Sequence, residues 1–348
     1  LDRNGHLYKI NYFEFYRYED VIKLKDDPTY DQKAFEERLE IKGDDDHSKL
    51  IKMLEKLNDY TIPIETVLDE HFDIENITYW MAFHILIGNA DTQSRNVYFY
   101  SPLNSEKWYF ITWDNDGSLQ RLEYEIRGRV DYAGWENGVS NYWGNVLFQR
   151  CLKSEKFRDA LEKAVKDLKA YLTKNIGPLS KKYASVVKPY VYSGADILDA
   201  PLTSGEYDAV VKNLPKEIET NYSLFKKSYE KPQPFFIGIP RKTGDKMTVD
   251  WDASYDFDAQ TITYSFELAK DPNFSNVITK FENLALPTAQ FPILPKGQYF
   301  MRVIATNADG LGQYAFDYYV IPTGKIYGTK CFYVNGDGKV VEDIYDEG

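Results

Sequence analysis

Apolar residues recur at helical spacing through the first two thirds of the chain and alternate with polar residues through the last third. In SKLIKMLEKLNDY, Leu50, Ile51, Leu54 and Leu57 fall on one helical face, and the charged run from Asp31 to Lys42 also suits a helix. A third helix is expected after Asp73, carrying Ile74, Ile77, Trp80, Met81 and Ile85, with its stop at Gly88 and Asn89. The runs NVYFY and KWYFITW, joined by the turn-rich SPLNSEK, predict a β-hairpin. Phe157, Leu161, Val165 and Leu168 predict a long helix from Ser154 to Leu172, and EYDAVVKNLPKEIETNYSLFKKSY predicts another around a proline.

At KPQPFF, residues 231 to 236, the pattern changes, and two prolines in four residues predict a stiff, extended linker. Beyond it KMTVDWDAS, TITYSFELAKD, NVITKFEN, GQYFMRVIATN and GQYAFDYYV alternate between turns, as an antiparallel β-sandwich does. Trp251, Tyr264 and the run LPKGQYFMRVIATNADGLG resemble a fibronectin type III domain, and these are fold-building residues without chemistry. The expected fold class is therefore multidomain α+β. A mainly helical lobe is expected over residues 1–230, a β-sandwich over 231–323 and a C-terminal hairpin or tail over 324–348.

Length and charge narrow the partners. The 348 residues exceed one ordinary domain, and 42 basic against 54 acidic residues give a net charge of -12, which argues against nucleic acid. No apolar run is long enough to span a membrane, and LDRNGHLYKI lacks the apolar stretch of a signal peptide. Cys151 and Cys331 are expected to be unpaired, and four scattered histidines without CxxC argue against zinc. In the tail, Asn335, Asp337 and Gly338 evoke a calcium loop, but the EF-hand register would put Tyr333 and Ile344 at ligand positions, so a hairpin turn is expected.

The chemistry concentrates in two polar turns flanking the predicted hairpin. Asp91 and Asn96 have the D-x-x-x-x-N spacing with which protein kinases orient the attacking hydroxyl and hold a metal, and Asp114 and Asp116 follow the second strand, where another metal-binding aspartate is needed. Asp and Asn are also ordinary turn residues, so the spacing alone decides little. GHLYK, the run Asn89, Asp91, Asn96, Tyr98 and Tyr100, and then Trp113, Asp114 and Asp116 together resemble the spore coat protein H kinases, the CotH kinase family, over roughly residues 5 to 230.

That resemblance implies an atypical kinase-like fold using ATP and magnesium to phosphorylate Ser or Thr of secreted or coat proteins, at an extracytoplasmic location. Asp91 is then the catalytic base, Asn96, Asp114 and Asp116 are metal ligands, and Asn89 and Arg95 belong to the cofactor-binding loop. Asn89 stands where a conventional kinase has the histidine of its catalytic loop, a place from which it would hold the loop backbone, and Arg95 can pair with substrate or with an acidic neighbour. His84, Trp80 and Trp113 are expected to be packing residues. The chain lacks the F-G that commonly follows the family's second acidic motif. No glycine-rich loop or strand lysine precedes GHLYK, and Lys9 is not taken as a replacement, so the chain is expected to be the C-terminal lobe and inactive alone. The rival reading is a catalytically inactive cell-surface scaffold whose sandwich contacts a surface protein or glycan. A glycoside hydrolase ranks third, because the carboxylates follow a kinase order.

Overall fold

A computed structural model of the protein describes residues 2–128, 134–322, 324–336 and 339–342. Its chain divides into two units, Leu1–Val130 with Asn137–Phe225 and Asp131–Glu136 with Lys226–Gly348. In order, the first holds β1 (His6–Ile10), α1 (Gln32–Glu36), β2 (Leu39–Ile41), α2 (Ser48–Asn58), α3 (Ile64–His71), α4 (Ile74–Ile87), β3 (Val97–Ser101), β4 (Tyr109–Thr112), α5 (Arg121–Ile126), α6 (Val146–Lys153), α7 (Glu155–Val191) and most of α8 (Ser204–Glu230).

The strands form one antiparallel sheet in the order β2, β1, β3, β4. Strand alternation sends Tyr8, Ile10, Val97, Phe99 and Phe110 into the core, where Phe99 stacks on buried Trp108 at 4.4 Å between ring centroids. The helix α4 is buried along most of its length, including Ile77, Trp80, Met81, Ile85 and Leu86, and it packs on both β4 and α7. Asp73 caps it by accepting the Asn76 N–H at 2.8 Å, and Gly88 ends it at φ 66°. A side chain there would be strained by the positive φ and would push the Asn221 amide, which lies 2.7 Å from where a Cβ would stand.

Two helical expectations change. The run from Asp31 to Lys42 keeps only a five-residue helix, because Leu39, Glu40 and Ile41 pair with Ile10, Lys9 and Tyr8 and bury Leu39 completely. Sheet pairing overrides local helix preference there. The long helix expected to stop at Leu172 runs to Val191 through Pro178 and Pro189. It lies antiparallel to α8, with Lys169 2.9 Å from Glu219 and Lys188 2.6 Å from Asp208.

The second unit contains β5 (Arg241–Thr243), β6 (Lys246–Asp250), β7 (Thr263–Ala269), β8 (Val277–Leu284), β9 (Thr288–Pro292), β10 (Gly297–Thr306), β11 (Gly312–Tyr314), β12 (Tyr318–Ile321), β13 (Gly324–Tyr327), β14 (Thr329–Val334) and β15 (Val340–Val341). One sheet runs β15, β14, β10, β7, β8, with β11 on β10, and a second runs β5, β6, β9. Val249 and Phe291 from one sheet and Phe266, Met301 and Phe332 from the other share a single core.

Here too the structure differs from the pattern. KPQPFF is not a free linker, since Pro232 through Phe235 are buried and Phe235 belongs to the sandwich core. The sheet also continues past residue 323, because β14 pairs with β10 along six residues and contributes Phe332 and Val334 to the core. Its signal in the sequence was the short apolar run CFYV, which periodicity alone cannot assign. Thr323 itself lies outside the described residues, as do Asp337 and Gly338 of the calcium-like run. Asn335 accepts the Lys339 N–H at 2.8 Å through its side chain. Both cysteines are buried, and Cys331 Sγ accepts a hydrogen bond from the Gln298 amide at 3.3 Å.

Candidate active site

The hairpin register brings the two polar turns together. Val97 at the start of β3 faces Thr112 at the end of β4, so Asn96 and Asp114 leave the sheet from the same end. Both residues have positive φ, 57° and 54°, a conformation that Asn and Asp tolerate better than most side chains.

Within the first turn, Asn96 donates its side-chain amide to Asp91 Oδ2 at 2.8 Å, and Arg95 pairs with Asp91 Oδ1. Arg95 in turn donates to the Tyr12 hydroxyl at 2.9 Å and lies over the Tyr12 ring. Buried Asn89 joins the turns. Its Oδ1 accepts the Asp91 N–H at 3.1 Å, while its Nδ2 reaches the Asp114 carbonyl at 3.5 Å and Asn115 Oδ1 at 3.3 Å.

Residues that motif reading missed hold the rest of the first turn. Asn141 donates to the Ala90 carbonyl at 3.1 Å, Asn145 to the Gln93 carbonyl at 2.7 Å, and the Phe13 N–H to the Ser94 carbonyl at 2.8 Å. Asn145 also caps α6 through its Oδ1, so one side chain fixes both a helix start and the turn. Asparagines between aromatics in ENGVSNYWGN gave no periodic signal, and their role depends on contacts about 50 residues away in sequence. Behind the second turn, Glu217 of α8 accepts the N–H groups of Arg121 and Leu122, and the Leu119 N–H is bound by the Ile87 carbonyl.

Asp114 and Asp116 lie near enough for their carboxyls to repel. The neighbouring negative charge of Asp116 is the main cause that raises the Asp114 pKa above the ordinary aspartate value, with a smaller upward push from Asp91 and an opposing one from Lys9. Among the described residues no group of three or more His, Cys, Asp or Glu side chains is arranged to hold a metal. The expected ligands Asn96, Asp114 and Asp116 include only two carboxylates, and the Asp91 carboxylate is turned toward Arg95 and Asn96. Magnesium needs no more than that: one or two carboxylates with water and phosphate oxygens complete its shell, so the paired oxygens of Asp114 and Asp116 fit it chemically.

Lys9 adds a cation to this end of the sheet. It stands on the face of β1 opposite Tyr8, with its Nζ 3.4 Å from Glu40 Oε1 on β2. Hydrogen bonds from Lys42 and Asn11, and then the charge of Lys9, push the Glu40 pKa down to about 2. Lys9 and Glu40 thus form a strand lysine with a carboxylate partner, legible only once Leu39–Ile41 is known to be a strand. Trp113 also departs from expectation: it is 47% exposed and meets Tyr98 edge to face at 5.2 Å. Trp108 and Phe110 alternate into the core, so the odd-numbered Trp113 follows Ile111 to the outer face. Trp80 and His84 are buried as expected.

A helical lobe that presents two acidic turns from one hairpin end, with a strand lysine nearby, accords with the kinase-like class that the family match gives. The chain belongs to the CotH kinase protein family, whose model matches residues 1–224. No curated protein matches it. Among the described residues no helix is long and apolar enough to cross a membrane.

Proposed function

We propose that this protein transfers the terminal phosphoryl group of ATP, with magnesium, to a Ser or Thr hydroxyl of a secreted or surface protein. The observation that carries this reading is the tie that Asn89 makes between the Asp91 and Asp114 turns. Phosphoryl transfer is mainly a matter of positioning and charge neutralisation, and both turns are held by several independent hydrogen bonds.

In this reading Asp91 orients the acceptor hydroxyl and takes its proton as the oxygen bonds to phosphorus and ADP departs. Asn96 and Arg95 fix the two carboxylate oxygens of Asp91. Asp114, Asp116 and the remaining amide oxygen of Asn96 are the residues that would hold magnesium, which when bound neutralises phosphate charge. Lys9, steadied by Glu40, is the cation for the phosphates, and with it in place the chain itself is expected to transfer phosphate, which replaces the expectation that it is inactive alone. Asn89 is buried with its amide committed to both turns, so its role is positioning. The two-sheet unit is the part suited to contacts with a surface protein or glycan, and its strand arrangement supports the fibronectin-like reading.

The test is incubation with magnesium and radiolabelled ATP in the presence of a Ser-rich protein, comparing the parent with Asp91→Asn. Label on Ser or Thr, lost in the variant while its circular dichroism is unchanged, is the expected result. If the parent binds no nucleotide and transfers no label, the kinase reading fails and the inactive scaffold replaces it.

A further inference from the structure

Between α7 and α8, away from the acidic turns, lies a groove of about 540 Å³. Gly177, Lys181, Ala184, Ser185 and Lys188 line it from α7, and Asp208, Val211, Lys212 and Pro215 from α8. The helices are pinned on either side of it. Lys169 and Thr173 meet Glu219 toward the base, while Lys188 meets Asp208 and the Tyr192 hydroxyl meets the Leu202 and Thr203 carbonyls toward the tip. Small side chains on facing positions leave the space between, and its size is that of a ligand-binding cleft.

Its charge is opposite to that of the chain as a whole. From Lys169 to Ala195 there are five lysines and no Asp or Glu, in a protein of net charge -12. Lys188 is neutralised by Asp208, but among the described residues Lys181 and Lys212 have no ion-pair partner. The groove also offers acceptors. Ser185 and Val211 lie four residues before Pro189 and Pro215, which carry no N–H, so neither carbonyl has its helical donor.

We propose that this groove docks an acidic peptide segment of a partner protein. Carboxylates of the segment meet Lys181 and Lys212, its apolar side chains cover Ala184 and Val211, and its main-chain N–H groups supply the donors that the two carbonyls lack. A bilayer surface satisfies only the lysines, since it is flat and brings no N–H row to the floor. A second copy of the same hairpin is disfavoured, because its lysines would oppose these.

The test is fluorescence anisotropy of a labelled ten-residue peptide of glutamates interspersed with leucine and tyrosine, titrated with the intact protein. Expected is saturable binding that weakens about tenfold or more in the double variant Lys181→Glu, Lys212→Glu, and again at high salt. Ala184→Trp, which fills the groove without changing charge, should weaken it comparably, with both variants melting like the parent. Asp91→Asn should bind the peptide as the parent does, which separates this site from the phosphoryl-transfer reading. Binding that survives both groove variants, equal binding of a peptide with lysine in place of glutamate, or binding of phosphatidylserine vesicles in place of the peptide would overturn the proposal.

Discussion

Asn89 reaches the backbone carbonyl of Asp114 across the 25 residues that separate them in sequence, while its other amide end holds the Asp91 N–H. Replacing it by alanine removes hydrogen bonds to both part-buried turns, a loss of about 0.5–1.5 kcal/mol in stability. Asn89→Ala should therefore lower the melting temperature and reduce phosphoryl transfer more than nucleotide binding. A variant with parent-like turnover would remove the tie as the basis of the site.

Lys9 and Glu40 make a second, separable prediction. If Lys9 neutralises phosphate, Lys9→Met should lower transfer by about 100-fold or more, as removing a preorganised electrostatic partner does. Glu40→Gln should have a smaller effect, since it weakens the partner that steadies Lys9 but leaves the Lys9 charge in place. Both side chains are partly exposed, so little change in stability is expected. Steady-state kinetics with a melt of each variant distinguishes a role toward nucleotide from a structural ion pair.

The helical parts of the fold were legible where apolar spacing was strong, as in Leu50 to Leu57 and Ile74 to Ile87, and where a cap such as Asp73 or a stop such as Gly88 marked the ends. Short strands were not: Leu39–Ile41 and Thr329–Val334 are strands only because β1 and β10 offer partners. The same limit applied to the site. Asp91, Asn96, Asp114 and Asp116 stood out through spacing, whereas Asn141, Asn145 and Tyr12 act through contacts that no local pattern encodes. Lys9 gives no local signal either, because its carboxylate partner Glu40 becomes its neighbour only when Leu39–Ile41 pairs with β1.

The Asp114 and Asp116 pair predicts a pH dependence with a definite sign. A carboxyl whose pKa is raised in the fold binds its proton more tightly when folded, so stability falls as pH rises from the ordinary aspartate range through the shifted value. Without metal, Asp116→Asn should raise the melting temperature at neutral pH and flatten this decline. Magnesium should raise the melting temperature of the parent at neutral pH and lose that effect in Asp116→Asn. Equal magnesium response in both proteins would argue against these carboxylates as its ligands.

Two buried imidazoles predict acid sensitivity from the opposite sign. Burial lowers the pKa of His47 to about 4 and that of His84 to about 3, from 6.5. The unfolded chain thus binds more protons in that interval, and stability is lost as pH falls below about 6.5. His47 has Tyr8 and Tyr30 as hydrogen-bond partners, but among the described residues neither ring nitrogen of His84 has one. His84→Leu should accordingly keep or raise the melting temperature at pH 7 and make the acid decline shallower, measured by thermal melts between pH 7 and pH 4.

The strand β14 tests where the all-β unit ends. Phe332 is fully buried between the two sheets and stacks on Tyr299 at 5.5 Å. If residues beyond 323 were an appended tail, trimming this side chain would cost little. Because β14 instead pairs with β10 inside the sheet, Phe332→Ala should destabilise the unit by about 3–5 kcal/mol, the range for emptying a buried phenyl site. In calorimetry of the full chain the loss should fall on the transition of the β unit and leave nucleotide binding by the helical unit unchanged. A parent-like melt would return β14 to the status of a peripheral hairpin.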